Sequence, residues 1–176
     1  MSQFITHIKE DLQKFKASDK MKFKLLFSLL NPRFIPMFLV RLSNLFYRYK
    51  IGILSKIFSL LNNILFGCDI GRGAEIDGGL YMPHPCGVVI GEYVKIGKNF
   101  IIHQGVTLGA RGEEHELANP IIGNEVEIGT GAKILGGLKI GDYARVGANC
   151  VLLIDVPEKG VAVGIPGKVI ATRKDV

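Results

Sequence analysis

From residue 70 onward, aliphatic residues recur at every sixth position of the chain. Six residues fit one short strand and a turn, whereas the units of a helical solenoid need about 20 residues or more. Three such units make one coil of a triangular parallel β-helix, in which the recurring side chains point inward and stack on one another. The pattern therefore predicts a parallel β-helix and does not specify its hand. The recurring residues are Ile70, Ile76, Ile90, Ile96, Ile102, Leu108, Ile122, Ile128, Ile134, Ile140, Val146 and Leu152.

Two interruptions break this period. The interval that follows Leu108 is one period plus eight residues, and the interval that follows Ile76 is two periods plus two residues. The longer insertion, residues 110–120, is polar and is predicted to project as an arm. The shorter one falls in residues 81–87, where two prolines hold His84 out of regular strand geometry. Because a regular coil offers no pocket, we expect the chemistry at these interruptions.

The N-terminal third of the chain has a different pattern, which is typical of helices. It contains a single glycine, Gly52, and is rich in Leu, Phe, Ile and Lys. Apolar residues recur at helical spacing in two stretches, 36–49 and 53–65, and Asp19 is positioned to cap a further helix that follows it. We therefore expect helices in this part of the chain.

This change of pattern predicts a mainly β protein with two units. The first is a helical N-terminal region at residues 1–65, and the second is a β-helix domain at residues 66–176 that carries the arm at 110–120. The charge follows the same division. The net charge is +6, and the first unit holds 11 Lys and Arg against 3 Asp and Glu, while the second holds 11 against 13. The basic character therefore belongs to the helical region alone.

The basic and apolar helical region admits two interpretations. Its longest uncharged run, residues 57–68, has 12 residues, and a membrane span needs about 20, so we expect no transmembrane helix. Basic residues alternate with Leu and Phe between residues 41 and 56, a pattern compatible with peripheral membrane contact through residues 20–65. The other interpretation is that these apolar faces pack on the rest of the protein or on a neighbouring subunit. No nucleic-acid-binding motif accompanies the basic residues, so no nucleic acid partner is expected.

The number and spacing of the cysteines indicate the cellular compartment of the protein. The three residues, Cys68, Cys86 and Cys150, are odd in number and share no spacing typical of metal sites. The chain does not open on a charged leader with an apolar core and a cleavage site. We therefore expect a reduced protein in the cytoplasm, either free or peripheral at the inner face of the membrane.

One candidate for catalysis is the pair His84 and Asp69. Asp69 stands 15 residues before His84, and a coil takes about 18 residues, so the two fall on adjoining coils near one corner. An aspartate there can orient the imidazole and leave its other nitrogen free to accept a proton from a hydroxyl. The alternatives are a structural histidine with a solvated aspartate, or a metal site that His84 shares with His103 and His115.

Several motifs resemble the serine acetyltransferase branch of the hexapeptide-repeat acyltransferases, over about residues 66–170. The resemblance implies a left-handed parallel β-helix, a homotrimer or trimer-based assembly, and acetyl-CoA as acetyl donor without a metal. The matching motifs are Asp69, residues 73–76 (Gly-Ala-Glu-Ile), His84, 87–92 (Gly-Val-Val-Ile-Gly-Glu), 104–109 (Gln-Gly-Val-Thr-Leu-Gly), 129–136 (Gly-Thr-Gly-Ala-Lys-Ile-Leu-Gly) and 164–168 (Gly-Ile-Pro-Gly-Lys).

The resemblance also implies the roles of individual residues. The family's catalytic pair falls on His84, which takes the proton of the acceptor hydroxyl, and on Asp69, which holds the imidazole. Transfer is direct, so the cysteines need no role. Lys168 is a candidate partner for a phosphate of the donor. The family's CoA groove between neighbouring subunits falls on Gly109, Ala110, Thr130, Ala148 and the 164–168 segment.

The acceptor site departs from the family pattern at two places. Pro83 stands where the family has an aspartate before the catalytic histidine, and Ala118-Asn119-Pro120 stands where the family's arm ends in Arg-His-Pro. Because an arginine fork is the best partner of an α-carboxylate, these changes favour a sugar hydroxyl as acceptor, in capsule or exopolysaccharide biosynthesis. The alternatives are serine O-acetylation in cysteine biosynthesis, a non-catalytic scaffold, and the family's carbonic anhydrase-like branch with bound zinc.

Overall fold

The structure is a computed structural model, and it describes residues 2–19, 31–112 and 118–172. The helix predicted after Asp19 and the histidine His115 lie outside these ranges. Within them, three helices precede fourteen short strands. The helices are α1 (Ser2–Asp19), α2 (Ile35–Arg48) and α3 (Gly52–Phe66). The strands are β1 (Asp69–Ile70), β2 (Glu75–Ile76), β3 (Val89–Ile90), β4 (Lys95–Ile96), β5 (Ile101–Ile102), β6 (Thr107–Gly109), β7 (Ile121–Ile122), β8 (Glu127–Ile128), β9 (Lys133–Leu135), β10 (Lys139–Ile140), β11 (Arg145–Val146), β12 (Val151–Leu152), β13 (Gly160–Val163) and β14 (Lys168–Thr172).

The strands form the three walls of a prism. Sheet A has the order β1-β3-β6-β9-β12, sheet B the order β10-β7-β4-β2, and sheet C the order β14-β13-β11-β8-β5. The pairings among these strands are parallel, except that β13 and β14 are antiparallel. Between β3 and β12 each sheet takes every third strand, as a triangular coil requires. The predicted fold, a left-handed parallel β-helix preceded by helices, is confirmed.

The recurring aliphatic residues fill the interior of the prism. Each of the twelve has at most 5% of its surface exposed, and each is the second residue of a strand. A second inward position lies two residues earlier and holds, for example, Cys68, Phe100 and Cys150, which are fully buried. Its residue type varies from alanine to phenylalanine, so the sixfold aliphatic period does not reveal it.

The register of sheet A locates the extra residues. Lys133 pairs with Val151, 18 residues later, which is one regular coil. Asp69 pairs with Val89, 20 residues later, and Thr107 pairs with Lys133, 26 residues later. The chain therefore leaves the regular coil once before Val89 and once, by eight residues, after Thr107.

The N-terminal helices close one end of the prism. Phe15 of α1 and Phe34, which precedes α2, are buried in one core with Tyr81 of the first coil. The ring centroids of Phe15 and Phe34 lie 5.7 Å apart, and those of Phe15 and Tyr81 lie 6.3 Å apart. Such tilted aromatic pairs add to the free energy of burial. The helices are therefore continuous with the β-helix core.

A buried ion pair ties the helices to the first coil. The Arg41 Nε donates to Asp11 Oδ2 at 2.8 Å, and the Asp11 Oδ1 accepts from the backbone N–H groups of Gly79 and Leu80, each at 2.8 Å. Only 1% of Asp11 and 4% of Arg41 is exposed. Arg41 also donates to the carbonyl oxygens of Ile76 and Asp77. The pair is therefore fully hydrogen-bonded, which burial of charges requires.

Helices α2 and α3 form an antiparallel pair. The Ser43 hydroxyl donates to the Ser55 carbonyl at 3.1 Å, and the Ser55 hydroxyl donates to the Ser43 carbonyl at 2.9 Å. Helix α3 ends at Phe66 and is capped by Gly67, whose φ of 60° is left-handed. None of the described helices has the length and apolar character that crossing a membrane requires.

Candidate active site

The chain enters sheet A through a corner that is built alike in successive coils. We call it the leading corner, and we call the opposite edge, where the chain leaves sheet A, the trailing corner. The Gly87 N–H donates to the Gly67 carbonyl at 2.8 Å, and a Cβ at Gly105 would lie 3.6 Å from Gly131. Left-handed φ values between 55° and 72°, which favour glycine, mark the corner at Gly67, Gly87, Gly105, Gly131 and Asn149.

His84 and Asp69 meet this corner from adjoining coils. His84 stands three residues before Gly87, and Asp69 stands two residues after Gly67, whose carbonyl accepts from Gly87. The Asp69 N–H donates to the Val88 carbonyl at 2.9 Å. Both side chains are exposed. Within the described residues no hydrogen bond joins the two side chains, so their pairing stays a prediction.

Two of the five residues expected at CoA lie on the leading corner. Thr130 and Ala148 belong to neighbouring coils, because the Asn149 N–H donates to the Thr130 carbonyl at 2.8 Å. A Cβ at Gly129 would lie 2.7 Å from the Ala148 backbone nitrogen, so the two corners pack directly on each other. Neighbouring coils are about 4.8 Å apart. A ligand that touches both residues would therefore extend along the prism axis.

The segment of residues 164–168 continues the wall of sheet A beyond β12. The Val151 N–H donates to the Gly164 carbonyl at 3.1 Å, and the Gly167 N–H donates to the Val151 carbonyl at 2.7 Å. Lys168 begins β14, pairs with Val163, and has an exposed side chain. Lys168 therefore belongs to sheet C, and it directly follows Gly167, which continues the wall of sheet A.

Gly109 and Ala110 lie on the trailing corner, across sheet A from His84. Gly109 ends β6 and pairs with Leu135, and its carbonyl accepts from the Gly136 N–H at 2.8 Å. A Cβ at Gly109 would meet no atom within 4 Å, so space is open there. The structure therefore divides the expected site residues between the two edges of one wall.

A groove adjoins the trailing corner at the base of the arm. It has a volume of about 380 Å³, and its lining includes Arg111, Ala118 and Asp155. Arg111 is exposed. The groove therefore combines a guanidinium and a carboxylate beside the position where the family carries its arm arginine.

Sequence reasoning missed one cation on sheet A. Lys133 is the outward residue of β9, and its Nζ donates to the Gly105 carbonyl at 2.6 Å and to the Thr107 hydroxyl at 3.1 Å. The signal was available, because Lys133 immediately precedes the inward Ile134, as Asp69 precedes Ile70. When the residues per coil are counted with the insertions included, Asp69 and Lys133 fall on the same wall of the prism.

His103, from the alternative metal site, has another partner. Its Nε2 lies 3.2 Å from Glu127 Oε1, and the second oxygen of Glu127 lies 3.2 Å from Arg145 Nε. In the described ranges no group of three or more His, Cys, Asp or Glu is arranged to hold a metal ion. His115, the third histidine of that alternative, lies outside them.

The three cysteines differ in their surroundings. Cys86 is exposed on the leading corner, whereas Cys68 and Cys150 are fully buried. Burial raises the pKa of both buried thiols, that of Cys68 to about 12. These two thiols are therefore protonated at neutral pH and serve as core residues.

Comparison with known proteins identifies relatives of one kind. The family described as "Bacterial transferase hexapeptide (six repeats)" matches residues 119–153. The serine acetyltransferase of Synechococcus elongatus is 40% identical over 130 residues, which are 74% of this chain and 53% of the relative. That of Helicobacter pylori strain J99 is 39% identical over 142 residues, 81% of this chain and 83% of the relative. A solved serine acetyltransferase in complex with CoA is 30% identical with a TM-score of 0.86, covering 96% of this chain and 70% of that one.

These relatives are not all matched along their whole length. The chain spans between 53% and 60% of the relatives from Synechococcus elongatus, Bacillus pumilus and Bacillus subtilis. It spans 83% of the length of the Helicobacter relative.

The expectation of a sugar hydroxyl as acceptor, in polysaccharide biosynthesis, is wrong. The relatives at about 40% identity are serine acetyltransferases. The expectation relied in part on Asn119, which replaces the family's arm histidine. In the structure Asn119 is buried, and a Cβ at Gly91 would lie 2.7 Å from its Oδ1. Asn119 therefore supports the neighbouring coil, so its identity says little about the acceptor. The identity and coverage of the Helicobacter match show that this chain belongs to the serine acetyltransferase family of hexapeptide-repeat transferases.

Proposed function

We propose that this chain transfers the acetyl group of acetyl-CoA to the hydroxyl of serine, as the names of its relatives describe. The observation that carries the proposal is the position of His84 and Asp69 at one corner of adjoining coils, in a chain about 40% identical to serine acetyltransferases. The proposed site includes the whole of sheet A with its two corners.

The proposed chemistry is a direct transfer. His84 takes the proton of the serine hydroxyl while the serine oxygen attacks the thioester carbonyl. The tetrahedral intermediate then collapses, the carbon–sulfur bond breaks, and the CoA thiolate leaves and takes up a proton. Asp69 orients the imidazole and stabilises its positive charge during the attack. Positioning contributes much of the rate, because the thioester is already reactive.

The donor is proposed to lie along sheet A. Thr130 and Ala148 succeed one another on the leading corner, and residues 164–168 continue the same wall. Two cations lie along this path: Lys133 is on sheet A, and Lys168 begins β14 of sheet C, directly after Gly167. Positive charge suits the phosphates of the donor. Acetyl-CoA binding is also consistent with the relative solved in complex with CoA.

A trimer is proposed because the site residues are divided between the two edges of sheet A. His84 stands at the leading corner, whereas Gly109 and Ala110 stand at the trailing corner. A neighbouring copy that places its trailing corner beside this leading corner would close a groove between subunits. Threefold repetition of that contact closes a ring, as cyclic symmetry requires.

Arg111 is the proposed partner of the serine carboxylate. The family's arm arginine is absent at Ala118, but Arg111 lies in the same groove, and Asp155 lines it as well. A guanidinium can pair with a carboxylate through two hydrogen bonds, and the Asp155 carboxylate can accept from an ammonium group. The groove thus has groups of the charge that a zwitterionic acceptor needs.

The experiment that tests this proposal is a thiol-release assay on the full chain with acetyl-CoA and L-serine. We expect saturable release in L-serine, and much slower release with N-acetyl-L-serine, which lacks the ammonium. If thiol release with every hydroxyl acceptor is no faster than the hydrolysis of acetyl-CoA alone, the proposed transferase activity is excluded and the protein is a non-catalytic scaffold. Faster release with a sugar than with serine would overturn the acceptor and keep the transferase.

The compartment is part of the proposal. Acetyl-CoA is a cytoplasmic metabolite, and the three cysteines are unpaired, which suits a reducing compartment. We therefore place the enzyme in the cytoplasm. Contact of residues 20–65 with a membrane is a separate proposal, which concerns the outer face of the helices and not the catalytic site.

A further inference from the structure

Helix α3 presents its polar side to the protein. Ser55 and Asn62 are its buried residues, and both are hydrogen-bonded to α2, Ser55 with Ser43 and Asn62 with the Pro36 carbonyl. A surface helix ordinarily buries its apolar stripe and exposes its polar one. Phe58 stacks on Phe46 of α2 and Phe66 packs against the core, but most Ile and Leu residues of α3 remain exposed.

The opposite side of α3 is an exposed apolar stripe. We define the outer face of α3 by Ile53, Ile57, Leu60 and Ile64, which are 69%, 44%, 59% and 69% exposed. At 100° per residue these four positions fall within a sector of about 60°. Leu61 and Leu65, beside them, are exposed as well. Contiguous exposed apolar surface of this kind marks a contact site.

The surroundings of this face are positive and aromatic. Lys50, just before α3, and Lys56, on α3, are exposed, and no Asp or Glu occurs anywhere between Asp19 and Asp69. Tyr47 and Tyr49, just before α3, are also exposed. Tyrosine beside basic residues at the edge of an apolar stripe is typical of helices at the boundary between lipid headgroups and acyl chains.

We propose that the outer face of α3 binds the surface of an anionic membrane, with the helix lying in the plane of the interface. The apolar stripe enters the boundary of the acyl chains, and Lys50 and Lys56 contact anionic headgroups. The helix has 15 residues, which is shorter than the roughly 20 residues of a span, so it lies on the membrane.

Charge favours a lipid surface over a twofold contact in which this face meets the same face of a second copy. In a twofold contact the same face meets itself, so the basic residues around α3 would face one another without a carboxylate from residues 20–68 to pair with them. Like charges brought together across an interface weaken it. An anionic lipid surface instead complements every charge of this face.

The test is sedimentation of the full chain with vesicles. One set contains about 70% phosphatidylcholine and 30% phosphatidylglycerol, and the other contains phosphatidylcholine alone. We expect binding to the anionic vesicles, weaker binding to the neutral ones, and a decrease when the salt rises from about 0.1 M to 0.5 M, because salt screens exposed charges. Equal binding to both sets would overturn the charge argument.

Two pairs of substitutions locate the surface. Ile57→Ser with Ile64→Ser is expected to weaken vesicle binding at least about tenfold, because two apolar side chains leave the acyl boundary. Lys50→Gln with Lys56→Gln is expected to weaken it about fivefold per charge. The matched control is Ile121→Ser, which replaces an exposed isoleucine on sheet B and should bind as the unchanged protein does. Thermal melting of each variant checks that it folds.

The results of these experiments distinguish a membrane from a second copy of the chain as the partner of the outer face of α3. If the Ile57→Ser and Ile64→Ser protein dissociates into a smaller oligomer without lipid, a second copy covers the face and the proposal fails. It also fails if no variant changes vesicle binding. Thiol release with L-serine should stay unchanged in these variants, because the face lies outside the catalytic site. Loss of vesicle binding and loss of catalysis are therefore distinguishable.

Discussion

The substitution Asp11→Ala should destabilise the protein strongly, because it leaves a buried guanidinium without its carboxylate. Arg41 is 4% exposed and pairs with Asp11 at 2.8 Å. Removing one partner of a buried ion pair costs about 3–5 kcal/mol. The Gly79 and Leu80 N–H groups would also lose their acceptor. For a chain of this size each kcal/mol shifts the midpoint of thermal unfolding by about 2–4 °C, so we expect a decrease of about 6–20 °C.

Circular dichroism during heating and in urea measures this effect, since the chain has no tryptophan. The matched control is Glu75→Ala, which breaks the exposed pair of Glu75 and Lys95 at 3.0 Å and should cost less than about 1 kcal/mol. The double variant Asp11→Leu with Arg41→Met removes both charges and should recover the part of the loss that is due to the unpaired guanidinium, while the Gly79 and Leu80 N–H groups still lack their acceptor. The reasoning is refuted if Asp11→Ala is no more destabilising than Glu75→Ala.

Three further predictions concern single groups. In the native protein Cys86 alone should react quickly with a thiol reagent at pH 8, because burial raises the pKa of Cys68 to about 12 and also that of Cys150; a fast reaction that survives Cys86→Ser contradicts this. Burial, aided by Arg41, lowers the pKa of His7 below its usual 6.5, so the unfolded chain binds more protons and the free energy of unfolding decreases as the pH falls through 6.5. His7→Gln should remove that part of the slope in urea titrations, and an unchanged slope would exclude this origin. Arg111→Gln should raise the KM for L-serine about 10- to 100-fold with little change in kcat, as loss of a charged hydrogen bond predicts, whereas a fall in kcat at constant KM would remove Arg111 from substrate binding.

The β-helix could be predicted from the sequence because every coil needs aliphatic side chains at the same inward positions. An inward aliphatic residue at each strand, such as Ile128 or Ile134, follows from the six-residue unit and is visible as a period. The second inward position is not visible in this way, since Phe100 and Cys150 fill the same kind of site with different volumes. Only packing in three dimensions shows that both belong to the core.

The helical region was harder to predict. The expected helices at 36–49 and 53–65 correspond to α2 and α3, and α1 falls within the region expected to be helical, although no bounds were predicted for it. Helix α1 depends on tertiary contacts such as the one that Asp11 makes with Arg41, and local pattern does not encode those. The division into two units at residue 65 stays a prediction.

The position of the candidate site along the coils could be predicted by counting residues. The chemistry of its side chains could not be predicted in this way. Counting residues brought His84 and Asp69 to adjoining coils, which agrees with the backbone hydrogen bonds at the leading corner. The prediction of the acceptor failed because it was argued from the family residues that Pro83, Ala118 and Asn119 replace, whereas Asn119 packs against a neighbouring coil. The roles of His84 and Asp69 stay predictions.

The most direct test of the account is the kcat/KM for L-serine of His84→Ala beside His103→Ala, measured by thiol release with acetyl-CoA. Both histidines lie near the leading corner, but His103 pairs with Glu127 and has no proposed catalytic role. We expect His84→Ala to lower kcat/KM by about 10²- to 10⁴-fold and His103→Ala by no more than about threefold. A folded His84→Ala protein that keeps activity within about tenfold of the unchanged enzyme, below the contribution of a general base, would contradict the account.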